Sequence, residues 1–600
     1  MCGIIGRVGE GDAVEPLVTG LQNLEYRGYD SAGIAVQNGS GLCIRKRSGE
    51  VTELVEELDG AGISGDIGVG HTRWSTHGPP SRANAHPHTD DHEDIAVVHN
   101  GIIENHDQLR ERLVAAGHSF TSETDTEVIP HLIREYCTTG YDTEAAFRRA
   151  VADLEGSYAI AMVRAGEHAI YAARQGSPLV IGVAPETAYL ASDVPAFLEF
   201  TDTVMFLEDG DIAVITPEAI DVSDLAGQRI ERSLETVEWD PDQAEKGRFD
   251  HFMEKEIHEQ PTALAQAIEG RIDDERVSLE DVPAGTFRDI ERVELVACGT
   301  SYHAALYASI LLRRMGVRAT ATLANEFDLA GAPVDGASLV VAVTQSGETA
   351  DTLEALRAAT ADGARTLTVT NVVGSTAARV ADERLLIRAG PEIGVAATKT
   401  FSSQIAVLTL LADLIATDVT GAQLDTSVLE QLEETPGRLQ SLLADSRAGT
   451  VARTYQDSES FFFIGRGLGY PVALEGALKF KEITYEHAEG FAAGELKHGP
   501  LALVTPETPV FAIFTGRADR RTLANAEEAG SRGAPIIAVC PPDHPATDIA
   551  DCQLTVPAVH PDVAGLYGNV QLQLLSYHAA QLLERPIDKP RNLAKSVTVQ

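Results

Sequence analysis

Six hundred residues, at about 150 per domain, suggest roughly three to five domains. A 44% hydrophobic share supplies several cores and excludes a disordered or fibrous chain. Asp and Glu number 90 against 47 Lys and Arg, a formal charge of −43 spread along the chain, so binding to nucleic acid or anionic membranes is not expected.

From Cys2 to about Thr216 short apolar strands dominate: Ile34–Val36, Ile67–Gly70, Ile95–Val98, Tyr158–Val163 and Leu179–Val183. The Asp209-Gly210 pair between Val204–Leu207 and Ile212–Ile215 predicts a type I′ hairpin turn. Helical patterns near Asp107–Ala116 and Glu127–Cys137 complete an α+β domain with antiparallel sheets, at 2–220. Residues 221–284 are charged and weakly periodic, and read as a linker carrying one docking helix around His251–Ile268.

Strands and helices then alternate. Val293–Ala297 is a strand, Gly299-Thr300-Ser301 a turn and Tyr302–Met315 a helix; Leu339–Val343, the turn Gln345-Ser346-Gly347, Thr349–Ala361 and the strand Thr366–Val369 follow. The same order returns at Phe461–Ile464, Gly465-Arg466-Gly467, Val510–Phe514, Thr515-Gly516 and Pro535–Val539. Positions 299 and 465, 344 and 515, and 369 and 539 stand a nearly constant interval apart, which indicates a duplicated α/β domain with a parallel, doubly wound sheet. The copies are placed at 285–430 and 450–590, with a tail at 591–600.

No stretch reaches the roughly 18 uninterrupted apolar residues that span a bilayer, since the best run, Ile405–Ala416, contains Asp413. The amino end has no basic leader followed by an apolar stretch, so a cytoplasmic protein is expected. Six Cys, at 2, 43, 137, 298, 540 and 552, form no C-x-x-C pair and read as reduced thiols. The cations divide into nine Lys and 38 Arg; heavy acid with scarce Lys points to solvation by concentrated salt.

Cys2 follows the initiator Met, and a side chain this small normally permits removal of that Met. The thiol would then share a residue with an α-amino group of pKa about 7.7 to 8.0, able to accept its proton near neutrality. An apolar Cys on a first strand is the alternative. His86, His88 and His92 crowd beside Asp90 and Asp91, but without zinc-type spacing no metal is expected.

Thr344-Gln345-Ser346-Gly347-Glu348-Thr349 lies where an apolar strand feeds a helix. Its hydroxyls, glycine and helix-start N–H groups make a ready phosphate site, or else an ordinary cap supplied by Ser346 alone. Gly465-Arg466-Gly467-Leu468-Gly469 lacks the G-x-G-x-x-G spacing of a dinucleotide loop, and no cofactor is expected. Five of the nine Lys lie after position 478: Lys479, Lys481, Lys497, Lys589 and Lys595. Arg cannot form a Schiff base and Lys can, so lysines retained in an Arg-rich chain point to chemistry, with Lys589 read as local charge balance.

Four motifs, Cys2-Gly3-Ile4-Ile5-Gly6, Tyr26-Arg27-Gly28-Tyr29-Asp30-Ser31-Ala32-Gly33, His71-Thr72-Arg73-Trp74-Ser75-Thr76-His77-Gly78 and His99-Asn100-Gly101-Ile102-Ile103-Glu104-Asn105, together resemble the class II glutamine amidotransferases. The resemblance implies an N-terminal-nucleophile fold in which Cys2 attacks the glutamine amide while the Asn100 side chain and Gly101 N–H hold the oxyanion. Arg73 would pair with the substrate α-carboxylate and Asp125 with its α-ammonium, Thr76 and His77 would line the pocket, and Trp74 would gate the passage of ammonia. Taken singly, Arg73 could be a surface ion pair and Asp125 a helix cap.

Cys298-Gly299-Thr300-Ser301, the Ser346 loop, Glu392-Ile393-Gly394-Val395-Ala396 and Leu474-Glu475-Gly476-Ala477-Leu478-Lys479 resemble the sugar isomerase (SIS) domains that bind phosphosugars. His251–Ile257 and the tail Pro590–Val599 belong to the same pattern. Over essentially the whole chain this order is similar to the glutamine–fructose-6-phosphate aminotransferase family, also called glucosamine-6-phosphate synthases. The resemblance implies conversion of fructose 6-phosphate and glutamine to glucosamine 6-phosphate and glutamate, by a homodimer and without metal. Thr344, Gln345, Ser346 and Thr349 would hold the phosphate, with Thr300, Ser301 and Val395 at the sugar. Lys595 would form a Schiff base, His498 from the partner subunit would open the ring, and Glu482 beside Lys479 would move a proton between C1 and C2.

Two positions depart from the family pattern, which usually has Ser where Thr344 and Ala397 stand. A class II phosphoribosyl amidotransferase would need an acidic pyrophosphate loop after an apolar strand, and none is found. A phosphosugar-binding regulatory protein is the rival of another class, but it has no use for an N-terminal thiol or a Lys near the carboxyl end.

Overall fold

The computed structural model describes residues 2–39, 41–75, 77–237, 246–273, 276–327 and 334–597. They form two compact units, one of residues 1–244 with the tail from Ala594, the other of residues 245–593.

The first unit holds β1 (Gly3–Gly9), α1 (Val14–Asn23), β2 (Ser31–Asn38), β3 (Gly41–Ser48), α2 (Val51–Leu58), β4 (Ile67–Arg73), β5 (His88–Thr89) and β6 (Ile95–Ile103). There follow α3 (His106–Ala116), α4 (Val128–Thr138), α5 (Thr143–Ala152), β7 (Gly156–Arg164), β8 (Ile170–Gln175), β9 (Val180–Ala184), β10 (Thr187–Ala191), β11 (Thr203–Phe206), β12 (Ile212–Ile215), β13 (Ile220–Ser223) and β14 (Glu235–Thr236). The strands make an eight-stranded sheet, β14-β11-β9-β10-β1-β4-β2-β3, and a six-stranded sheet, β13-β12-β8-β7-β6-β5.

Strand alternation builds the layers. Ile4 and Val8 of β1 and Ala96 and Val98 of β6 share one core between the two sheets. Ile95 and Val97 turn the other way and pack with Leu113, Leu132 and Phe147 of α3 to α5. With both faces covered, these strands read as continuous apolar runs instead of alternating ones.

Asp209-Gly210 does not close a hairpin. β11 pairs with β9 in one sheet, while β12 pairs with β8 in the other, so the chain crosses between sheets here. Buried Arg174 fixes the corner, donating to the Leu207 and Ser177 carbonyls while its own carbonyl accepts from Gly210 N. The local pair signals a turn; burial of Val204 and Ala213 in different sheets decides what it connects.

The second unit opens with α6 (Phe252–Ile268), then the short pair β15 (Ile272–Asp273) and β16 (Arg276–Val277). Next come β17 (Arg292–Ala297), α7 (Gly299–Arg314), β18 (Arg318–Leu323), β19 (Ser338–Val343), α8 (Ala350–Ala361), β20 (Arg365–Thr370), α9 (Thr376–Val380), β21 (Glu383–Leu386) and α10 (Lys399–Thr420). After α11 (Thr426–Asp445) and α12 (Ala448–Thr454) the pattern repeats: β22 (Ser460–Gly465), α13 (Gly469–Thr484), β23 (His487–Ala492), β24 (Val510–Ile513), α14 (Asp519–Gly530), β25 (Ile536–Cys540), β26 (Cys552–Thr555) and α15 (Ala564–Leu582).

Both parallel sheets have the same order, β18-β17-β19-β20-β21 and β23-β22-β24-β25-β26. In each, the order reverses between the first and third strands in sequence, and such a switch point opens the crevice where ligands bind to doubly wound sheets. Thr300 and Ser301, expected in a turn, lie in the first turn of α7, which starts directly after β17 at Gly299. α10 is long and apolar enough to cross a membrane, and it is almost wholly buried inside this unit.

Candidate active site

In the first unit, the β1–β4 register sets Gly3 opposite Thr72, which brings Cys2 alongside Arg73 and Trp74. The Cys2 Sγ accepts from Trp74 N at 3.2 Å. Burial pushes the thiol pKa up, against the downward pull of the amino terminus, the Trp74 N–H and the Arg73 guanidinium; Asp125 adds a further upward push. Thiol, guanidinium and carboxylate thus act on one another within one buried pocket.

Asn100, on β6, donates from Nδ2 to the Cys2 carbonyl at 2.8 Å, and an amide NH2 has a second hydrogen to give. Next to it Gly101 takes φ +123°, where an added Cβ would lie 1.9 Å from the Ser157 carbonyl oxygen. Only glycine fits there.

Arg73 is not a surface ion pair. It is buried and donates to Ser75 Oγ at 3.1 Å and to the carbonyls of His77 and Gly78. Nor does Asp125 cap a helix: α4 begins at Val128, and the Asp125 Oδ2 accepts from Ile103 N at 2.8 Å. Trp74 packs edge-on against Tyr29, and His77 against His106. Thr76 lies outside the described residues.

His71, unassigned by the sequence, holds the Asn100 amide. Its Nε2 lies 3.0 Å from the His99 carbonyl and 3.1 Å from Asn100 Oδ1, two acceptors that make this nitrogen the N–H. Burial pushes its pKa down to about 3. His86 stacks on it at 4.0 Å with His88 beyond, whereas His92 and Asp91 face solvent, so the histidine crowd divides between a neutral inner wall and the surface.

In the second unit, Thr344–Thr349 leaves the end of β19 at the switch point. Thr344 Oγ1 accepts from Gly347 N at 3.1 Å and Ser346 Oγ from Glu348 N at 3.2 Å. Gly347 has φ +70°, and a Cβ there would lie 2.1 Å from Ser375 Oγ. The Gln345 carbonyl accepts from Asn371 N, and the Glu348 carboxylate is spent on Thr376 N and Oγ1. Ser346 therefore makes a local turn, and α8 begins at Ala350 after the N-cap residue Thr349 with no side-chain cap, which leaves its first N–H groups for a ligand.

The equivalent loop of the second sheet differs. There Asp519 Oδ1 accepts from Thr515 N and Gly516 N, setting a carboxylate where an anion would sit.

Ser301 Oγ accepts from Gln404 Nε2 at 2.9 Å. Val395 is held by the Asp588 carbonyl at 3.1 Å, in a loop anchored by Glu256 at Gly394 N and by Glu392 at Thr398 N; Ala397 is half-buried in it. On α13, Lys479 Nζ lies 2.5 Å from Glu482 and 3.5 Å from Glu475. Burial pushes the ammonium pKa down, but Glu482 and Glu475 outweigh it and hold it above the usual lysine value. His498 is exposed. Lys595 is half-buried, in the tail grouped with the first unit.

Comparison with known proteins bears on both units. A family model described as a glutamine amidotransferase domain matches residues 71–199, and one described as a SIS domain matches 286–414 and again 454–583. The chain is 49% identical to the glutamine–fructose-6-phosphate aminotransferase [isomerizing] of Halobacterium salinarum and 45% identical to that of Thermococcus kodakarensis, over the whole length of both chains in each case. The chain belongs to the glutamine–fructose-6-phosphate aminotransferase family. Among solved structures, the C-terminal domain of glucosamine-fructose-6-phosphate aminotransferase from Francisella tularensis aligns with a TM-score of 0.55 and 35% identity, over 57% of this chain and 99% of that one.

Within this family frame, the supporting residues that sequence reasoning passed over are His71, Glu475 and His303. His71 opens one of the quoted motifs, and Glu475 stands one helical turn before Lys479, a spacing that places both on one face. His303 Nδ1 meets Glu475 Oε2 at 2.7 Å across two domains, for which sequence spacing carries no signal.

Proposed function

We infer that the chain converts fructose 6-phosphate and glutamine to glucosamine 6-phosphate and glutamate, with ammonia passed internally from one reaction to the other. The observation that carries this reading is the presence, in one chain, of a buried thiol beside the Asn100 amide, a helix-start anion cradle and a buried lysine–carboxylate pair.

With Met1 removed, the Cys2 amino group accepts the thiol proton and Sγ attacks the glutamine side-chain carbonyl carbon. The second Nδ2 hydrogen of Asn100 and the Gly101 N–H stabilise the oxyanion. The proton returns to the leaving nitrogen, ammonia departs, and water hydrolyses the thioester to glutamate. Arg73 and Asp125 hold the two charged groups of the amino-acid end, with His77 lining the pocket and Trp74 guarding the way out.

At the other site Thr344, Gln345, Ser346, Thr349 and the α8 N-terminus bind the phosphate dianion. Asp519 makes the second domain's loop unsuited to it. Thr300, Ser301 and Val395 border the sugar, and His498 of the partner subunit opens its ring. Lys595 condenses with the C2 carbonyl and loses water; ammonia then displaces the lysine to leave a C2 imine. Glu482, poised by Lys479, takes the C1 proton and delivers it to C2, so that C1 becomes the aldehyde and C2 carries the amine. This reading includes a glutaminase domain at 2–220, a linker at 221–284, SIS domains at 285–430 and 450–590, a catalytic tail at 591–600, a homodimer and a cytoplasmic location.

The test incubates the purified protein, at high salt, with amide-labelled glutamine and fructose 6-phosphate. Label in the amino sugar phosphate is expected. Glutamate release with no labelled sugar would overturn the coupled reaction, and full synthesis by Lys595→Arg would remove the Schiff base.

A further inference from the structure

We propose that the amino-terminal unit carries a structural site for a divalent transition metal of the Zn2+ class, formed by Asp91, His118 and His131. The three ligands come from separate segments: the loop between β5 and β6, the second residue after the end of α3, and the first turn of α4. Their ligand atoms all lie within 4.8 Å of one another. His118 Nδ1 is 2.7 Å and His131 Nδ1 3.5 Å from the Asp91 Oδ2. A tetrahedral ion with bonds of about 2.0 to 2.1 Å needs edges of about 3.4 Å, so small side-chain rotations close the set.

The second observation is His131 itself. It is 1% exposed, and neither of its ring nitrogens has a hydrogen-bond partner. Leaving a buried polar group unsatisfied costs stability, and Nδ1 lies 3.5 Å from the Asp91 carboxylate. A bound cation satisfies that nitrogen. Outer contacts suit such a site: Asp91 Oδ1 already accepts from Ser119 N at 3.1 Å, and Glu127 Oε1 stands 4.0 Å from His131 Nε2, on the side away from the ion. Two imidazoles and one carboxylate favour Zn2+ and its neighbours over Mg2+ or Ca2+. Asp91 and His118 reach the surface, which gives the ion a way in and leaves a coordination position for water.

Such an ion would pin α4 to the edge of the six-stranded sheet. α4 directly follows the loop that carries Asp125, and Glu127 staples that loop through Thr121 N and Ser122 N. The histidine crowd at positions 86 to 92 draws the eye in the sequence, but the converging set shares only Asp91 with it.

The test uses the full-length protein, stripped with a chelator and dialysed against Zn2+ in concentrated KCl, which screens diffuse cation binding to the acidic surface. Co2+ serves as an optical probe of nitrogen ligation. The wild type is expected to hold one ion per chain more than His118→Ala or Asp91→Asn, with affinity at least about 100-fold higher than theirs at this site. Zn2+ should also raise the melting temperature of the wild type and not that of the variants. Both variants alter partly exposed residues, and matching circular dichroism in chelator shows that they are folded. Equal metal content and equal Zn2+ response in all three proteins would overturn the site, whether or not amino sugar synthesis is observed.

Discussion

Thr300 Oγ1, on the first parallel-sheet domain, donates to Glu475 Oε1, on the second, at 3.1 Å. The same carboxylate meets His303 and Lys479, so it ties α7 to the helix that carries Glu482. A buried charge holds its place only while its partners remain.

Replacing Glu475 with Gln keeps the shape and removes the charge. Synthesis should fall roughly 10- to 150-fold, the equivalent of one charge-assisted hydrogen bond of about 1.5 to 3 kcal/mol, with glutamine hydrolysis unchanged. Lys479 has a raised folded pKa, so its stabilising contribution is present below the unfolded lysine value of about 10.4 and is lost as pH rises through the folded value. In Glu475→Gln the alkaline unfolding limb should move to lower pH. An unmoved limb would show that Glu475 does not hold the ammonium.

At the thiol, Cys2→Ala should abolish glutamine hydrolysis. Asn100→Ala should lower kcat about 100- to 1000-fold, as loss of one oxyanion donor does, with a smaller change in KM. Gly101→Ala should cost at least as much, since the backbone must move to clear the Ser157 carbonyl. Steady-state assay of glutamate release measures all three, and an Asn100→Ala enzyme of normal kcat would take Asn100 out of the mechanism.

The duplicated α/β pattern was readable because β17, β19, β22 and β24 are short, largely apolar runs closed by turns at Gly299, Gly347, Gly465 and Gly516. The crossing at Asp209-Gly210 was not, because a two-residue turn signal carries no information about which sheet the next strand joins. Within the candidate sites, the sequence singles out the residues on the quoted motifs. The groups that support them were hidden wherever the partner is remote in sequence, as His71 is from Asn100, Thr300 from Glu475, and Glu256 from Gly394. Long-range hydrogen bonds leave no periodic trace.

Ser346→Ala tests the anion cradle. Losing one hydroxyl directed at a dianion should raise KM for fructose 6-phosphate about 10-fold or more and leave kcat nearly unchanged, because the phosphate is bound alike in ground and transition states. Gly347→Ala should do more, given its φ of +70° and the approach to Ser375 Oγ. Equal KM values for wild type and Ser346→Ala would move the phosphate elsewhere. Asp519→Asn, in the copy whose loop is closed by its own carboxylate, should leave that KM alone.

His71 predicts how the amino-terminal unit responds to acid. Its folded pKa is about 3, held down by burial, against about 6.5 when unfolded. Between those values the unfolded chain binds a proton that the folded one refuses, so stability falls as pH falls, by about 1.4 kcal/mol per pH unit for this one group. His86 and His88 are pushed down by burial as well and act with the same sign. Thermal melts from pH 7 to pH 4 should therefore show the glutaminase unit losing stability from about pH 6.5 downward. His71→Gln, whose side-chain amide can still donate toward Asn100 Oδ1, should flatten the slope by about one proton and retain part of the glutaminase activity. An identical slope in that variant would mean that His71 takes up its proton in the folded state, and with it the neutral donor that holds the oxyanion amide would be lost.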